Sequence, residues 1–270
     1  MIGMSPHSHR APSPVPAEVA ILRLEETSST MDEARSWAAQ NPTKWGVVLA
    51  RRQTAGRGRL GRAWMSPEGG VWMTLVAPDP ARAVAPLAPL RAALAAAAEI
   101  DHALGEPGVA RIRWPNDLLL GGAKVGGILG ETTGPALLLG LGLNVNNRPA
   151  DLGPGLRTPA TSLAARAGRP IDLGALIEGL SGRLVRALTT GLSSPGLRPD
   201  EAHDLNARLA DRGRTVEVSG AGAPVAGVLL GVDPDGALRV EVAGETRRFV
   251  SGEVSCRAAE SPRAETMIDE

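Results

Sequence analysis

Four short apolar runs follow one another between Val109 and Leu143: Val109–Arg113, Asp117–Leu120, Lys124–Glu131 and Leu137–Leu143. The gaps between them hold three, three and five residues and carry Gly, Pro or Asn. A crossover between parallel strands needs roughly a dozen residues or more, whereas antiparallel strands close through a short turn. The middle of the chain is therefore expected to fold as an antiparallel sheet.

The flanking segments add layers to that sheet. Ile21–Leu24, Trp45–Ala50 and Val71–Val76 have the character of strands, and Thr30 with Glu33 has the spacing of a capping box opening a helix through Ala39. The Ala-rich stretch Pro86–Leu104 is a long helix. Leu173, Leu176, Ile177, Leu180, Leu184 and Leu188 recur at helical spacing across Asp172–Thr190, and a further helix is expected over Glu201–Ala210. From Arg214 the pattern changes to short alternating strands, Thr215–Val218, Ala226–Val232, Ala237–Val242 and Thr246–Val250, with the turn Asp233-Pro234-Asp235-Gly236 joining two of them. The class is α+β: a mixed, mostly antiparallel central sheet with flanking helices over 18–207, then a small all-β barrel over 208–257. Residues 1–17, with prolines at 6, 12, 14 and 16, and residues 258–270 are expected to be disordered tails. With so short a stretch before the first strand, no DNA-binding head is expected.

Charge and composition narrow the function. The 270 residues hold 29 basic and 29 acidic side chains, a balance that argues against a whole-protein polyanion binder but not against a local basic loop. The single cysteine, Cys256, excludes an internal disulfide, and four scattered histidines have no zinc-site spacing. The longest charge-free stretch, Thr132–Asn147, falls short of the ~18–20 apolar residues that cross a bilayer. A soluble, cytoplasmic protein is the expectation.

Four segments carry chemistry. Gly56-Arg57-Gly58-Arg59-Leu60-Gly61-Arg62 lies in a stretch, Arg51 to Arg62, with five arginines and no acid. Glycines let the backbone expose N–H groups to phosphate oxygens and arginines add bidentate donors. The pattern is neither a P-loop nor a dinucleotide fingerprint. Such a loop is expected to be disordered when empty and to fold over a polyanion; a solvated basic loop or an RNA contact is the alternative. Trp114-Pro115-Asn116-Asp117 presents an amide and a carboxylate beside a large aromatic, suited to a phosphate, a ribose or a divalent ion, or to an ordinary Asx-turn with a core Trp. Lys124-Val125-Gly126-Gly127-Ile128-Leu129 puts an ammonium before two glycines, a point charge for a phosphate and a carbonyl oxygen together, or a plain surface lysine. Gly140-Leu141-Gly142-Leu143-Asn144-Val145-Asn146 is an apolar strand ending in Asn, able to bond an adenine edge or a ribose, or simply a buried strand with a turn.

Together with Ser29-Thr30 and Gln53, these segments resemble the biotin protein ligases over about Ala20 to Arg257. The resemblance implies a class II synthetase-like catalytic fold followed by an SH3-like barrel. It implies an ATP-dependent ligase that activates biotin as biotinyl-5′-AMP and transfers it to a lysine of the biotin carrier domain of a carboxylase. By that likeness Ser29, Thr30, Gln53, Arg57, Gly58, Arg59, Lys124, Gly126 and Gly127 line the biotin pocket, with Lys124 and Arg59 catalytic. Arg62, Trp114, Asn116, Asp117, Asn144 and Asn146 fall on the nucleotide side, and Asp117 would hold the Mg²⁺ that accompanies ATP. Biotin, ATP and a carrier protein are the implied partners, with no DNA and no membrane; a homodimer is left open. Met31 stands where the family often has Asn, Arg113 where Lys is commoner, and Gly130 where a larger apolar residue usually packs, so that strand is expected to be loosened. The rivals are a lipoate–protein ligase, which shares the fold and the adenylate logic, and a biotinyl-AMP-sensing repressor or pseudoenzyme.

Overall fold

The computed structural model describes residues 18–78, 87–134, 136–152, 159–191, 194–220, 222–250 and 255–258. The expected tails lie outside these residues, except that Ala258 ends the last strand. Strands β1 (Ala20–Thr27), β2 (Gly46–Gln53), β3 (Val71–Pro78), β4 (Arg111–Arg113), β5 (Asp117–Leu120), β6 (Ala123–Thr133) and β7 (Ala136–Leu143) form one sheet in the order β1-β2-β3-β7-β6-β5-β4. Only β1 and β2 pair in parallel, and the helix α1 (Thr30–Gln40) lies between them in the chain as their crossover. The four closely spaced runs form the antiparallel ladder β4-β5-β6-β7, as their spacing requires.

The two faces of the sheet are built from opposite alternations. Along β7, Leu137, Leu139, Leu141 and Leu143 enter the main core beneath α2 (Ala88–Leu104) and α4 (Leu173–Gly191). The intervening positions, Leu138, Gly140 and Gly142, point to the face that α1 covers. There Met31, Ala34 and Ala38 pack on Val48, Val76 and Leu138. The α1 face thus receives a small apolar cluster at one end and bare glycine at the other.

The capping box expected at Thr30 does not form. Ser29 is the N-cap residue without a side-chain cap bond, and Glu33 instead accepts from Thr27 Oγ1 over 2.9 Å. Asp172 caps α4, its Oδ1 accepting from the backbone of Gly174 and Ala175 at 2.8 and 3.1 Å. Gly130 does not loosen β6: a β-carbon there would lie 3.0 Å from Pro89 Cγ, so the first turn of α2 already fills the space.

After the short helix α3 (Leu163–Ala167), α4 and α5 (Pro199–Arg208), the chain forms a second, five-stranded antiparallel sheet. Its strands are β8 (Thr215–Gly220), β9 (Gly222–Val232), β10 (Leu238–Val242), β11 (Glu245–Phe249) and β12 (Ser255–Ala258), in the order β11-β10-β9-β8-β12. The strand β12, which includes Cys256, is an element the alternation did not announce. No helix among the described residues is long and apolar enough to cross a membrane.

Candidate active site

On the α1 face the register sets Trp72 of β3, Gly142 of β7, Gly127 of β6 and Asp117 of β5 side by side. The next row holds Thr74 and Gly140. Gly127, Gly140 and Gly142 therefore make a shelf with no side chains, bordered by Thr74 on one flank and Asp117 on the other. From β3 to β5 is three strand spacings, about 14 Å.

The β3 flank is a chain of polar groups. Thr74 Oγ1 donates to Thr30 Oγ1 over 2.9 Å, and Gln53 Oε1 accepts from both the hydroxyl and the backbone N–H of Thr30 at 3.1 and 2.8 Å. Gln53 Nε2 then donates to Ser66 Oγ over 2.8 Å, and Ser66 Oγ to the carbonyl of Trp64 over 3.1 Å. Thr30, Thr74, Ser66 and the neighbouring Ser29 are buried, so their bonds run inside the protein rather than to water.

The opposite flank is charged. Lys124 Nζ donates to Asp117 Oδ1 over 2.7 Å and lies 5.1 Å from the centroid of the Trp64 ring. A β-carbon on Gly127 would stand 3.6 Å from Lys124 Cε, which fixes the stem of that lysine against the shelf. Asn116 donates to the Ile128 carbonyl over 2.8 Å and accepts from Arg59 Nη1 over 3.2 Å. Burial pulls the Arg59 guanidinium below its ordinary value, while the Asp117 carboxylate acts the other way.

The Gly/Arg loop crosses above this shelf along a defined path. Gln53 bridges Ser66 and Arg57 bridges Ala63, with a short turn of 3₁₀ helix at Arg59–Gly61. Its glycines serve different ends. A β-carbon on Gly56 would lie 2.5 Å from the Trp64 carbonyl and 2.7 Å from Ser66 Oγ, whereas one on Gly58 would meet nothing nearer than 3.6 Å. Gly56 is needed for packing; Gly58 leaves its side open. Arg57 leaves the shelf and forks onto Asp32 of α1, at 2.8 and 2.6 Å. That bond holds the Asp32 carboxyl below the usual carboxylate range, with burial opposing and Arg35 assisting. Arg62 is exposed at the loop's end, its carbonyl accepting from Gly58 N over 2.8 Å.

Of the expected site residues, Ser29, Thr30, Gln53, Gly58, Arg59, Asn116, Asp117, Lys124 and Gly127 thus come together around the shelf, with Arg57 at its rim. Four others have different surroundings. Gly126 faces the core, where a β-carbon would press on Leu143 Cδ1 at 3.0 Å. Asn146 spends its amide on Ile171, donating to the carbonyl and accepting from the N–H, both at 2.9 Å. Trp114 is 2 % exposed and its Nε1 donates to the Gly236 carbonyl of the second sheet over 3.0 Å. Arg113, the departure beside it, turns to Asp211. Asn144 is buried near Lys124: its Nδ2 donates to Thr161 O over 3.1 Å, and its Oδ1 has no partner among the described residues.

Several residues of the site were not singled out from the sequence. Trp64 lies on the shelf, its Nε1 buried and unpartnered among the described residues, 2.5 Å from where a β-carbon of Gly142 would be. Met31, the departure noted where the family often has Asn, closes the Gly140 end, its Sδ 2.9 Å from the corresponding point. Ser66, Thr74 and Asp32 complete the polar contacts. The alternation Leu139-Gly140-Leu141-Gly142-Leu143 was the available signal for the shelf. Among the described residues no group of three or more metal-ligating side chains exists. A Mg²⁺ carried by a nucleotide still fits, because it keeps water and phosphate ligands and takes one or two carboxylates. Asp117 is the carboxylate at hand.

A slot with a polar flank, a cationic flank and a floor bare of side chains suits a small acid whose far end makes hydrogen bonds. Two family models match the chain: the Biotin/lipoate A/B protein ligase family over residues 24–146 and the Biotin protein ligase C terminal domain over residues 213–257. The biotin–[acetyl-CoA-carboxylase] ligase of Paracoccus denitrificans is 36 % identical over 225 residues, 80 % of this chain and 91 % of that protein. The ligase of the same name from Mycobacterium tuberculosis is 33 % identical over 242 residues, 86 % of each. Among solved structures, the biotin protein ligase from Aquifex aeolicus in complex with biotin and ATP is 26 % identical, matches 89 % of this chain and 99 % of that one, and superposes with a TM-score of 0.78. The first model lies on the large sheet and the second on the small one, and with relatives this similar over most of both chains the chain belongs to the biotin protein ligase family.

Proposed function

We propose that this chain is the ATP-dependent ligase that joins biotin to a biotin carrier domain, and that the slot above the glycine shelf is where the vitamin is activated. The observation that carries this reading is the pairing of flanks across the shelf: the Thr30–Gln53–Ser66 chain on one side and Lys124 with Arg59 on the other. About 14 Å separates the flanking strands, room for a bicyclic ring with its polar edge on the first flank and a carboxylate reaching the second. Trp64 lifts to cover the ring, and its orphan N–H gains an acceptor.

In the first half-reaction the biotin carboxylate attacks the α-phosphorus of ATP. A carboxyl–phosphate bond forms, the bond to the β-phosphate breaks and pyrophosphate leaves. No protein nucleophile is required, so the work is orientation and the offsetting of charge between two anions. Lys124 bridges the carboxyl oxygen and the α-phosphate, and Arg59 screens them from the loop side. Asp117 would hold the Mg²⁺ that accompanies the nucleotide, and a bound Mg²⁺ would supply charge neutralisation on the phosphates. Asn144 Oδ1 accepts from a ribose hydroxyl or the adenine amino group. In the second half the lysine amine of a carrier domain attacks the acyl carbon, AMP leaves and a proton is lost from nitrogen. The cytoplasm, where ATP and carboxylases meet, is the working compartment.

Titration calorimetry of biotin with and without MgATP, followed by mass spectrometry of a biotin carrier domain, tests this. The expected result is one added biotinyl group that depends on ATP, with no modification when lipoate replaces biotin. A carrier left unmodified under these conditions, or one modified by lipoate instead, overturns it.

A further inference from the structure

None of the residues that shape the slot lines a second recess, a cleft of about 480 Å³ between α5 and the β9–β10 turn. One wall is a face of α5 that presents Ala202, His203 and Asn206; the other holds Arg212, Pro234 and Arg239. A recess of this size with a few polar groups on an otherwise apolar lining is what small-molecule sites have in common.

Asn206 is spent on holding the two walls together. Its Nδ2 donates to Ala202 O and Val232 O, at 2.8 and 3.0 Å, and its Oδ1 accepts from Val232 N over 2.9 Å. A β-carbon on Gly231 would lie 2.4 Å from that oxygen, so β9 comes this near to α5 only with glycine there. The basic groups are not spent. Arg212 donates from Nε to Leu230 O over 3.0 Å and from Nη1 to Asn206 O over 3.3 Å, which anchors the guanidinium and leaves Nη2 without an acceptor among the described residues. Arg239 Nε stands 3.0 Å from Asp233 Oδ1 as an ion pair, yet this buried N–H makes no hydrogen bond among the described residues. The imidazole of His203 is exposed and has no hydrogen bond there either. Asp233, which also lines the cleft, does not cancel the charge, because its Oδ2 accepts from Arg248 Nε over 2.8 Å and Arg248 also pairs with Asp235. Three guanidinium groups, of Arg212, Arg239 and Arg248, thus stand against two carboxylates, of Asp233 and Asp235. The cation left over is Arg212, on the cleft wall.

The arrangement of these donors selects the anion. A carboxylate is flat and is held best by two parallel N–H bonds from one guanidinium. With Nε and Nη1 both bonded to backbone, Arg212 offers the protons of Nη2 and no open fork. A tetrahedral oxyanion instead accepts single bonds from several directions, and Arg212, Arg239 and His203 supply them from a connecting segment, β10 and α5. We propose that this cleft binds a phosphoryl group through Arg212, Arg239 and His203, with room beside Ala202 and Pro234 for the small organic body of a monoester. A dianion there takes up both the surplus charge and the unbonded N–H groups. The site lies outside the slot and does not depend on the ligase reading.

The test follows the imidazole NMR signals of the full chain at constant pH and ionic strength while inorganic phosphate, phenyl phosphate or acetate is added. His203 reports on the cleft, and His102 on α2, which does not line it, is the control. Phosphate is expected to shift the His203 signal to saturation and leave His102 in place, and acetate to give no saturation. Tighter binding of phenyl phosphate identifies a monoester as the ligand, whereas equal binding identifies free phosphate. Arg212→Gln combined with Arg239→Gln should weaken phosphate binding at least about tenfold. Should circular dichroism show that this double variant is unfolded, Arg212→Gln alone, at an exposed side chain, should still weaken it about threefold or more. Lys124→Ala should leave the His203 titration unchanged, which separates the cleft from phosphate bound in the slot. A His203 signal that does not saturate, an equal shift at His102, acetate binding as tightly as phosphate, full affinity in Arg212→Gln, or a titration lost in Lys124→Ala would each refute the site.

Discussion

Lys124 and Asp117 form an ion pair on the slot's charged flank, Nζ to Oδ1 at 2.7 Å, with each side chain about one-quarter exposed. The carboxylate holds the ammonium over the shelf before any phosphate arrives, and the Trp64 ring lies 5.1 Å away on its other side. Two groups thus orient one cation. An ammonium fixed this way need not reorganise as charge builds in the transition state.

Replacing Lys124 by Ala should therefore lower the rate of biotin-dependent pyrophosphate exchange by about 10²–10³-fold, the usual loss for one oriented donor. Lys124→Arg should recover little, because a planar fork cannot take the place of a point charge wedged between Trp64 and Asp117. Circular dichroism and the melting temperature should be close to wild type. Exchange at the wild-type rate in Lys124→Ala would remove this residue from the chemistry.

Asp32 and Arg57 make a second pairing that bears on the loop. The fork from Arg57 ties the Gly/Arg segment to α1 and holds the Asp32 carboxyl below its ordinary value of 3.8. A depressed folded-state value means that the bond contributes fully above the ordinary carboxylate range and is lost as pH falls through the lowered one. The tie should thus be constant from neutral pH down to about 4 and weaken only in stronger acid. Asp32→Asn should release it at every pH, which would appear as faster limited proteolysis within 54–62 and faster escape of the activated intermediate. Both groups are more than one-third exposed, so overall stability should change by less than about 1 kcal/mol. Proteolysis at the wild-type rate would refute the tie.

The glycine shelf makes a steric prediction. A methyl at position 142 would lie 2.5 Å from Trp64 Nε1, while Leu141 and Leu143 on the core face are untouched. Gly142→Ala should displace the indole, change the tryptophan emission spectrum and weaken biotin binding at least tenfold, an amount equal to ~1.4 kcal/mol. The melting temperature should shift little. Unaltered biotin affinity in calorimetry would mean that the vitamin does not lie on the shelf.

Much of this molecule could be read from the sequence, and the failures share a cause. The ladder β4 to β7 follows from gap lengths alone, since three to five residues permit only turns. The paired flanks at Gln53, Asp117 and Lys124 follow from the segments that hold them. What escaped notice depends on contacts distant in the chain. Thr30 and Glu33 have capping-box spacing, but Gln53 and Thr74 claim the hydroxyl and Thr27 claims the carboxylate. Trp114 stands next to the polar pair in sequence, while its hydrogen bond goes to a residue of the second sheet. Asn146 resembles Asn144 in type and spacing, yet a backbone segment at Ile171 uses its whole amide. Local pattern finds groups of residues; it does not tell which way a side chain turns.

The final prediction concerns stability beneath the slot. Arg91 of α2 has a fully buried side chain, and Nε donates to both carboxylate oxygens of Glu201 at 3.2 and 3.4 Å. Its Nη2 donates to Gly196 O over 2.6 Å, while Nη1 has no partner among the described residues. Burial pulls the guanidinium below its ordinary value and Glu201 acts against that pull. The cation is therefore held in the core by its one carboxylate, which also accepts from Arg198 N over 2.9 Å at the start of α5. Removing one member of such a pair strands the other, at a cost of about 3–5 kcal/mol, whereas replacing both by apolar residues of similar volume is often nearly neutral. Glu201→Ala should accordingly lower the urea midpoint sharply, and Arg91→Met combined with Glu201→Leu should recover most of the loss. A single variant within about 1 kcal/mol of wild type would show that water reaches Arg91 and that the pair is not what holds α5 against α2.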